Sequence, residues 1–449
     1  MQEHILLIHW VNCIIGKCVR QDGHLLVIIL FHSHRQCRSG MIYFTWRTRV
    51  SKTPVFIRLA RPTYGRYLLW SNNIRTEGMD ILANMQEPFL ILGNHSQVYD
   101  AFFVSAAAKV HIRWVAGAAL FKLFGLKALL VGWIGAIAKQ QGRSDLYTIR
   151  TISKALKDGD NVGLFPEGTR TWDGESVGFD RSTAKLIKIL NVPVVIISLE
   201  GIYATKPRWA DKKRVGTPLL RVLPPLSKET LASMTKDELY TYLVKNLSFS
   251  FRSWQESYHI PFKGKAQAEG LQRVLYLCPD CSSYSTLETE KDLIHCTKCD
   301  MRSRLDAYDQ FSPVLGNNPF KDVSTWHTWE KEQLLAHLQT AGPDTYLFPP
   351  DKGVLFQTGE DGKLITLSKD FSLTATREGM SVVSSNPVLF TMLSFSKVQS
   401  MVINAKNTIE FFHADKLYRI RLEKNGSPLK YVELFHLYAI ALKPKEENL

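Results

Sequence analysis

"PFLILGNHSQVYDAFF", residues 88–103, is the stretch whose reading decides the fold of this chain. An apolar run of strand length stops at Gly93, the polar turn "NHSQVY" follows, and apolar residues resume after Asp100. The offset from His95 to Asp100 suits no regular element: on a helix it turns the side chains about 140° apart, and on a strand it sends them to opposite faces. Only a bend brings them together. The reading is therefore strand, turn, then a helix from Ala101 with Asp100 as its cap. A histidine there stands at the carboxyl end of a strand, where open α/β sheets receive ligands. An imidazole, with an ordinary pKa of about 6.5, takes a proton near neutrality, and a carboxylate fixes its tautomer. The hydroxyl so activated belongs to a substrate. Ser96 is next in sequence, where side chains diverge, and the chain has no Gly-x-Ser-x-Gly elbow.

A second motif lies some seventy residues on. The run "NVGLF" ends in Phe165-Pro166-Glu167-Gly168-Thr169-Arg170. Proline removes a backbone donor and forbids helix at Phe165, so the strand stops there. Gly168 permits a tight turn and close backbone approach, Thr169 offers a hydroxyl and an amide, and Arg170 offers a planar fork for phosphate. Glu167 anchors that guanidinium or contacts the substrate. The order of apolar runs (88–92, 161–165, 192–198) and helical stretches (145–158, and one long helix over 227–257) is that of an α/β domain.

"NHSQVYD" followed by "FPEGTR" resembles the glycerolipid acyltransferase family that includes the 1-acylglycerol-3-phosphate acyltransferases, and the resemblance covers roughly residues 60–225. It implies transfer of a fatty acyl group from an acyl thioester, acyl-CoA or acyl carrier protein, to a lysophospholipid hydroxyl in phospholipid synthesis. It makes His95 the general base, Asp100 its orienting partner, and Glu167, Gly168, Thr169 and Arg170 the acceptor's phosphate-binding turn. A further family block has "VPVVIIS" as its counterpart. The block that usually carries an arginine between the hallmarks survives loosely as "GAIAKQQGR", with Arg143 or Lys139 in its place. "FDRSTAK" replaces the usual Lys-Gly pair and offers Arg181 as a second phosphate contact.

"CPDC" and "CTKC" place Cys278, Cys281, Cys296 and Cys299 in a Cys-x2-Cys-x14-Cys-x2-Cys pattern, the spacing of two knuckles around one structural Zn²⁺. Thiolate ligands favour a reducing compartment, and with it the cytoplasmic face of a membrane. After a helical connector near 325–340, short alternating runs read as a small antiparallel β-domain finished by an amphipathic helix from about Ser427. That domain is either lipid-binding, of the pleckstrin-homology type, or a docking or oligomerisation module.

The fold class is thus α/β: an acyltransferase-type domain with a zinc ribbon and a small antiparallel β-domain. The expected divisions are 1–60, a basic and apolar membrane-proximal segment; 61–265, the acyltransferase domain; 270–310, the ribbon; 311–342, the connector; and 343–445, the β-domain with its helix. The chain has 449 residues and a formal charge of +14, and no acidic residue lies between Asp22 and Glu77. Nine Arg and Lys residues in that interval, interleaved with aromatics, suit an anionic membrane surface. No apolar run reaches the roughly 18–20 residues of a spanning helix; the stretch from Gly117 to Ala138 is broken by Lys122 and Lys127. Two alternatives stand beside the main reading. One is transfer to a lysophospholipid with another head group. The other is a nucleic-acid- or protein-binding ribbon on a degenerate acyltransferase scaffold, and the acidic residues of the ribbon argue against nucleic acid as a partner.

Overall fold

The computed structural model describes residues 53–117, 135–139, 146–359, 363–385, 388–414, 416–423 and 425–441, and before residue 53 the course of four strands. The chain divides into two compact units, Met1–Thr53 and Pro54–Leu449. In the first, β3 (His24–Phe31) pairs antiparallel with β1 (Cys13–Ile15), β2 (Val19–Gln21) and β4 (Met41–Trp46). The side chains of the basic segment expected before residue 53 lie outside the described residues, as do Arg143 and most of the apolar run from Gly117.

The second unit opens with a continuous helical segment, Val55–Ala60, Arg61–Gly65 and Arg66–Ser71. Pro62 accounts for the widened π turn in the middle, because a proline ring collides with the carbonyl four residues back and an ordinary turn leaves it no room. A seven-stranded sheet follows, comprising β5 (Arg75–Glu77), β6 (Leu90–Gly93), β7 (Ile112–Gly117), β8 (Ile137–Lys139), β9 (Asn161–Leu164), β10 (Val194–Glu200) and β11 (Leu219–Val222). Its order is β5-β11-β10-β6-β9-β7-β8, with β10 and β11 antiparallel and every other pair parallel. The strands expected at 88–92, 161–165 and 192–198 are the three central ones, buried on both faces as their unbroken aliphatic runs require. Leu90 and Leu92 of β6 register with Val162 and Leu164 of β9. The two motifs therefore leave neighbouring strands at the same sheet edge.

The single helix expected over 227–257 is instead three: Lys228–Ser233, Lys236–Leu247 and Phe251–Tyr258. Each starts on its own cap. Ser227, Thr235 and Ser250 accept backbone N–H groups, and Thr235 with Glu238 forms a reciprocal capping box. Among the described residues no helix is long and apolar enough to cross a membrane.

Beyond residue 270 lie three antiparallel sheets. Strands β12 (Leu287–Glu290), β13 (Leu293–Cys296), β14 (Arg302–Leu305) and β15 (Phe311–Leu315) form one beside the cysteines. The helix Val323–Thr340 then leads to β16 (Gly353–Thr358), β17 (Leu364–Ser368), β18 (Ser372–Thr376), β19 (Gly379–Ser385), β20 (Val388–Ser394), β21 (Val398–Ile403), β22 (Thr408–His413) and β23 (Lys416–Leu422). These make a five-stranded sheet, β17-β16-β23-β22-β21, and a three-stranded one, β18-β19-β20, followed by the helix Leu429–Ala441.

These parts share cores. Trp172 and Trp209 of the α/β region pack in one buried cluster with Cys278, Cys296, Trp326 and Leu429. A buried triad joins three distant segments: His327 places Nδ1 2.7 Å from Asp173 and Nε2 2.6 Å from Glu433. Burial alone would depress the imidazole, but the carboxylates of Glu433 and Asp173 push it up to about 10. Burial likewise opposes ionisation of Asp173, yet His327 holds that carboxyl down at about 2.

Candidate active site

The turn after β6 wraps around one carboxylate oxygen. Asp100 Oδ2 accepts the backbone N–H groups of Ser96 (2.6 Å) and Gln97 (2.9 Å) and lies 2.8 Å from His95 Nδ1. A carboxylate only accepts, so Nδ1 carries the proton and Nε2 keeps its lone pair. Asp100 is itself the first residue of the helix Asp100–Ala107, which has no side-chain cap. The capping role expected of Asp100 is therefore corrected: its oxygen is drawn back into the turn by two amides and an imidazole. Asn94 anchors the turn's entry, its amide bonding both N and O of Leu199 on β10, and Gln97 reaches Ile202 O and Thr205 Oγ1.

The second motif is bound directly to the first. Glu167 Oε1 accepts from His95 N (3.0 Å), its Oε2 accepts from Val177 N (2.9 Å), and Thr171 N donates to His95 O (3.0 Å). The histidine backbone is thus gripped from both sides. Sequence reading offered Glu167 as an anchor for Arg170 or a substrate contact, whereas both of its oxygens hold backbone amides. Burial raises this carboxyl to about 7, against the pull of those two amides.

An aromatic stack backs the imidazole. His95 lies over Phe165 with centroids 4.4 Å apart, and Phe165 over Trp114 at 4.8 Å, all within 10° of parallel. Gly163 makes room for it: a Cβ there would stand 2.5 Å from the Trp114 ring.

Gly168 has φ +67, with nothing within 4 Å of where a Cβ would be, so it turns the chain and leaves its backbone open. Thr169 Oγ1 accepts from Arg208 Nη1 (3.1 Å). Burial lowers Arg170 below the usual guanidinium range, and the Asp100 carboxylate opposes this in part. Lys139 is exposed at the carboxyl end of edge strand β8. Arg181, offered as a second phosphate contact, pairs with Asp237 and lies 4.9 Å over the Tyr240 ring. The local sequence placed it after the turn, but the helix Lys236–Leu247 supplies it with a nearer anion.

Sequence reading missed Trp114 and Arg208. Nothing near Trp114 marks it. Arg208 sits in "KPRW", just beyond β10 on the sheet's carboxyl side, and a proline-fixed arginine beside a tryptophan was the available signal.

The four cysteines converge. Their Sγ atoms all lie within 4.8 Å of one another, with Cys278–Cys299 at 3.6 Å and Cys281–Cys296 at 3.8 Å. A tetrahedral Zn²⁺ with Zn–S bonds of about 2.3 Å calls for sulfur separations of about 3.8 Å, and a disulfide for about 2 Å, so the set fits a metal. Lys298 N also points at Cys296 Sγ (3.4 Å), as backbone amides do toward thiolates in knuckles.

Residues 73–200 match the family described as Acyltransferase. The chain is similar to 1-acyl-sn-glycerol-3-phosphate acyltransferase alpha of Mus musculus, 28% identical over 156 residues, 32% of this chain and 52% of that protein. It is similar also to the 1-acyl-sn-glycerol-3-phosphate acyltransferase of Bacillus subtilis, 32% identical over 118 residues, 23% of this chain and 57% of that one. The crystal structure of the 1-acyl-sn-glycerophosphate acyltransferase PlsC from Thermotoga maritima aligns with a TM-score of 0.38 at 20% identity, covering 45% of this chain and 79% of that one. The chain spans about half the length of the curated relatives it matches. With the His95–Asp100 pair bound to the Phe165–Arg170 turn, residues 73–200 form an acyltransferase domain, similar over part of its length to the 1-acyl-sn-glycerol-3-phosphate acyltransferases.

Proposed function

We propose that this protein transfers a fatty acyl group from an acyl thioester, acyl-CoA or acyl carrier protein, to the free hydroxyl of 1-acylglycerol-3-phosphate, a step in phospholipid synthesis. The observation that carries the reading is one assembly: an imidazole oriented by Asp100 and tied through Glu167 and Thr171 to a turn that ends in Arg170.

His95 Nε2 takes the proton of the acceptor hydroxyl as its oxygen attacks the thioester carbonyl. Collapse of the tetrahedral intermediate breaks the C–S bond, and the imidazolium returns the proton to the departing thiolate. Asp100 keeps Nδ1 protonated and steadies the charged ring. Gly168, Thr169 and Arg170 hold the acceptor's phosphate, with Arg143 as a further contact. A positioned general base contributes about 10²–10⁴-fold, and orientation of two amphiphiles adds to it.

The substrates reside in a bilayer, and the helical segment 55–71 offers a surface for it. Phe56, Leu59, Tyr67 and Trp70 are exposed there beside exposed Arg58 and Arg66, and Val98, Tyr99 and Phe102 are exposed next to His95. This surface and the cysteine cluster support membrane association on a cytoplasmic face. Cys278, Cys281, Cys296 and Cys299 would hold a structural Zn²⁺, which when bound supplies folding free energy to the ribbon. Residues 61–265, 270–310, 311–342 and 343–445 are the catalytic domain, ribbon, connector and β-domain, packed as one unit from Pro54 on.

The test is product identification by mass spectrometry from a panel of acyl donors and lyso-acceptors, with the His95→Ala variant alongside. The variant should lose at least about 10²-fold in turnover with unchanged thermal unfolding. Transfer at the parent rate by the variant would remove His95 from the reaction.

A further inference from the structure

A buried guanidinium ordinarily rests against a carboxylate, because an unpaired charge is costly out of water. This molecule follows that rule at Arg214 with Asp309 and at Arg273 with Asp211. Arg208 departs from it. Its residue is 8% exposed, yet it forms no ion pair among the described residues. Its Nη1 donates to Thr169 Oγ1 (3.1 Å) and Arg170 O (3.3 Å), and its Nη2 to Ile403 O (2.5 Å). The guanidinium lies 4.4 Å over the Trp172 ring. Its buried Nε–H has no acceptor. Three of the five N–H groups of an arginine are thus engaged, all by neutral oxygens.

The backbone around Arg208 is fixed. Pro207 opens a turn closed by Ala210 N to Pro207 O (3.0 Å), and Trp209 is fully buried with its ring nitrogen on Tyr203 OH (3.1 Å). The side chain cannot swing away without breaking that core. Burial, and after it the cation of mostly buried Arg170, bring Arg208 down to about 9. Arg170 has Asp100 as a carboxylate neighbour, whereas no carboxylate among the described residues acts on Arg208. An anion seated at the turn would relieve both at once, and a doubly charged one most.

We propose that Arg208 is a second cation of the acceptor subsite, acting with Arg170 to favour a phosphomonoester dianion over a phosphodiester monoanion. This rests on the reading that the Phe165–Arg170 turn takes the acceptor's phosphate. A phosphomonoester gains its second charge with a pKa of about 6, whereas a phosphodiester keeps one charge throughout, so the two cations convert a difference of one charge into selectivity.

The test compares parent, Arg208→Gln, Arg208→Lys and Arg170→Gln proteins with 1-acylglycerol-3-phosphate and with a lysophosphatidylcholine of the same chain. Calorimetric binding of glycerol 3-phosphate is measured in parallel at pH 5.5 and 7.5. Arg208→Gln should raise KM for the monoester by about tenfold or more, with a smaller effect on kcat and on the diester. It should also weaken glycerol 3-phosphate binding and abolish most of its tightening between the two pH values. Arg208→Lys, which keeps the charge and loses the fork, should recover part of both. Equal effects on the two acceptors, or a fall in melting temperature with binding unchanged, would reduce Arg208 to a clamp and overturn the proposal. Arg208-dependent binding of glycerol 3-phosphate without acyl transfer to any acceptor would instead overturn the functional reading and leave the anion subsite standing. Acyl transfer with binding indifferent to Arg208 would do the reverse.

Discussion

The turn at His95 and the cysteine cluster are both small constellations, but they are held by different means. The four sulfurs come from two knuckles close in sequence, one at each end of a short hairpin, and a single ion would complete them. The pair of His95 and Asp100 has no such centre. Backbone groups position it: two amides on Asp100, one on Glu167, and a carbonyl on Thr171, delivered from strands that neighbour each other in the sheet and stand far apart in the chain. The first kind of site fails with its ligand. The second fails when the framework around it loosens, and the ribbon belongs to that framework, because Cys278 and Cys296 share a buried cluster with Trp172 and Trp209.

If the two sites are coupled in this way, disturbing the cysteine cluster should have the largest effect. Cys296→Ser, or removal of metal by a strong chelator, should destabilise the whole unit by on the order of 5 kcal/mol or more. Calorimetry should show one shifted transition, and a separate low-temperature transition for the ribbon would break the coupling. His327→Ala comes next. It leaves two buried carboxylates facing an emptied space, and about 3–5 kcal/mol should be lost in denaturant unfolding. The same residue sets a pH dependence. Its folded pKa of about 10 stands above the ordinary 6.5, so its contribution is complete below pH 6.5 and disappears as pH rises through 10. The parent should lose stability along that alkaline limb, and His327→Ala should flatten it.

A finer probe is Glu167→Gln. An amide offers one acceptor where the carboxylate offers two, so one of the N–H groups of His95 and Val177 is left without a partner, at about 1–3 kcal/mol. Turnover should fall more than acceptor KM rises, since the displaced group is the histidine backbone; a pure KM effect would mean that Glu167 touches the acceptor. The smallest effect is expected at Arg181. Its pair with Asp237 is exposed, so Arg181→Ala should change stability by less than about 1 kcal/mol and leave KM for the phosphate acceptor unaltered.

What the sequence made legible follows the same division. Cysteine spacing, the His95–Asp100 offset and the Phe165–Arg170 turn are local patterns, and each is read within a few residues. The central strands were legible because burial on both faces writes continuous aliphatic runs. The cap read at Asp100 differs from the structure because capping and turn-wrapping need the same residue type at nearly the same place, and the choice depends on which amides converge. Trp114 and the triad of Asp173, His327 and Glu433 left no local trace, since each has meaning only through partners from remote elements. The three helices over 228–258 were legible in principle: Thr235-x-x-Glu238 is a start signal inside the stretch read as continuous.

The reach from Asp173 through His327 to Glu433 bears on how the protein comes into being. Asp173 leaves the ribosome long before Glu433, and until both partners of the imidazole have emerged its charge has one counter-ion instead of two. The catalytic sheet of the nascent chain therefore waits on the last helix described for its final locking contact, and acyl transfer should appear only after synthesis has passed that helix.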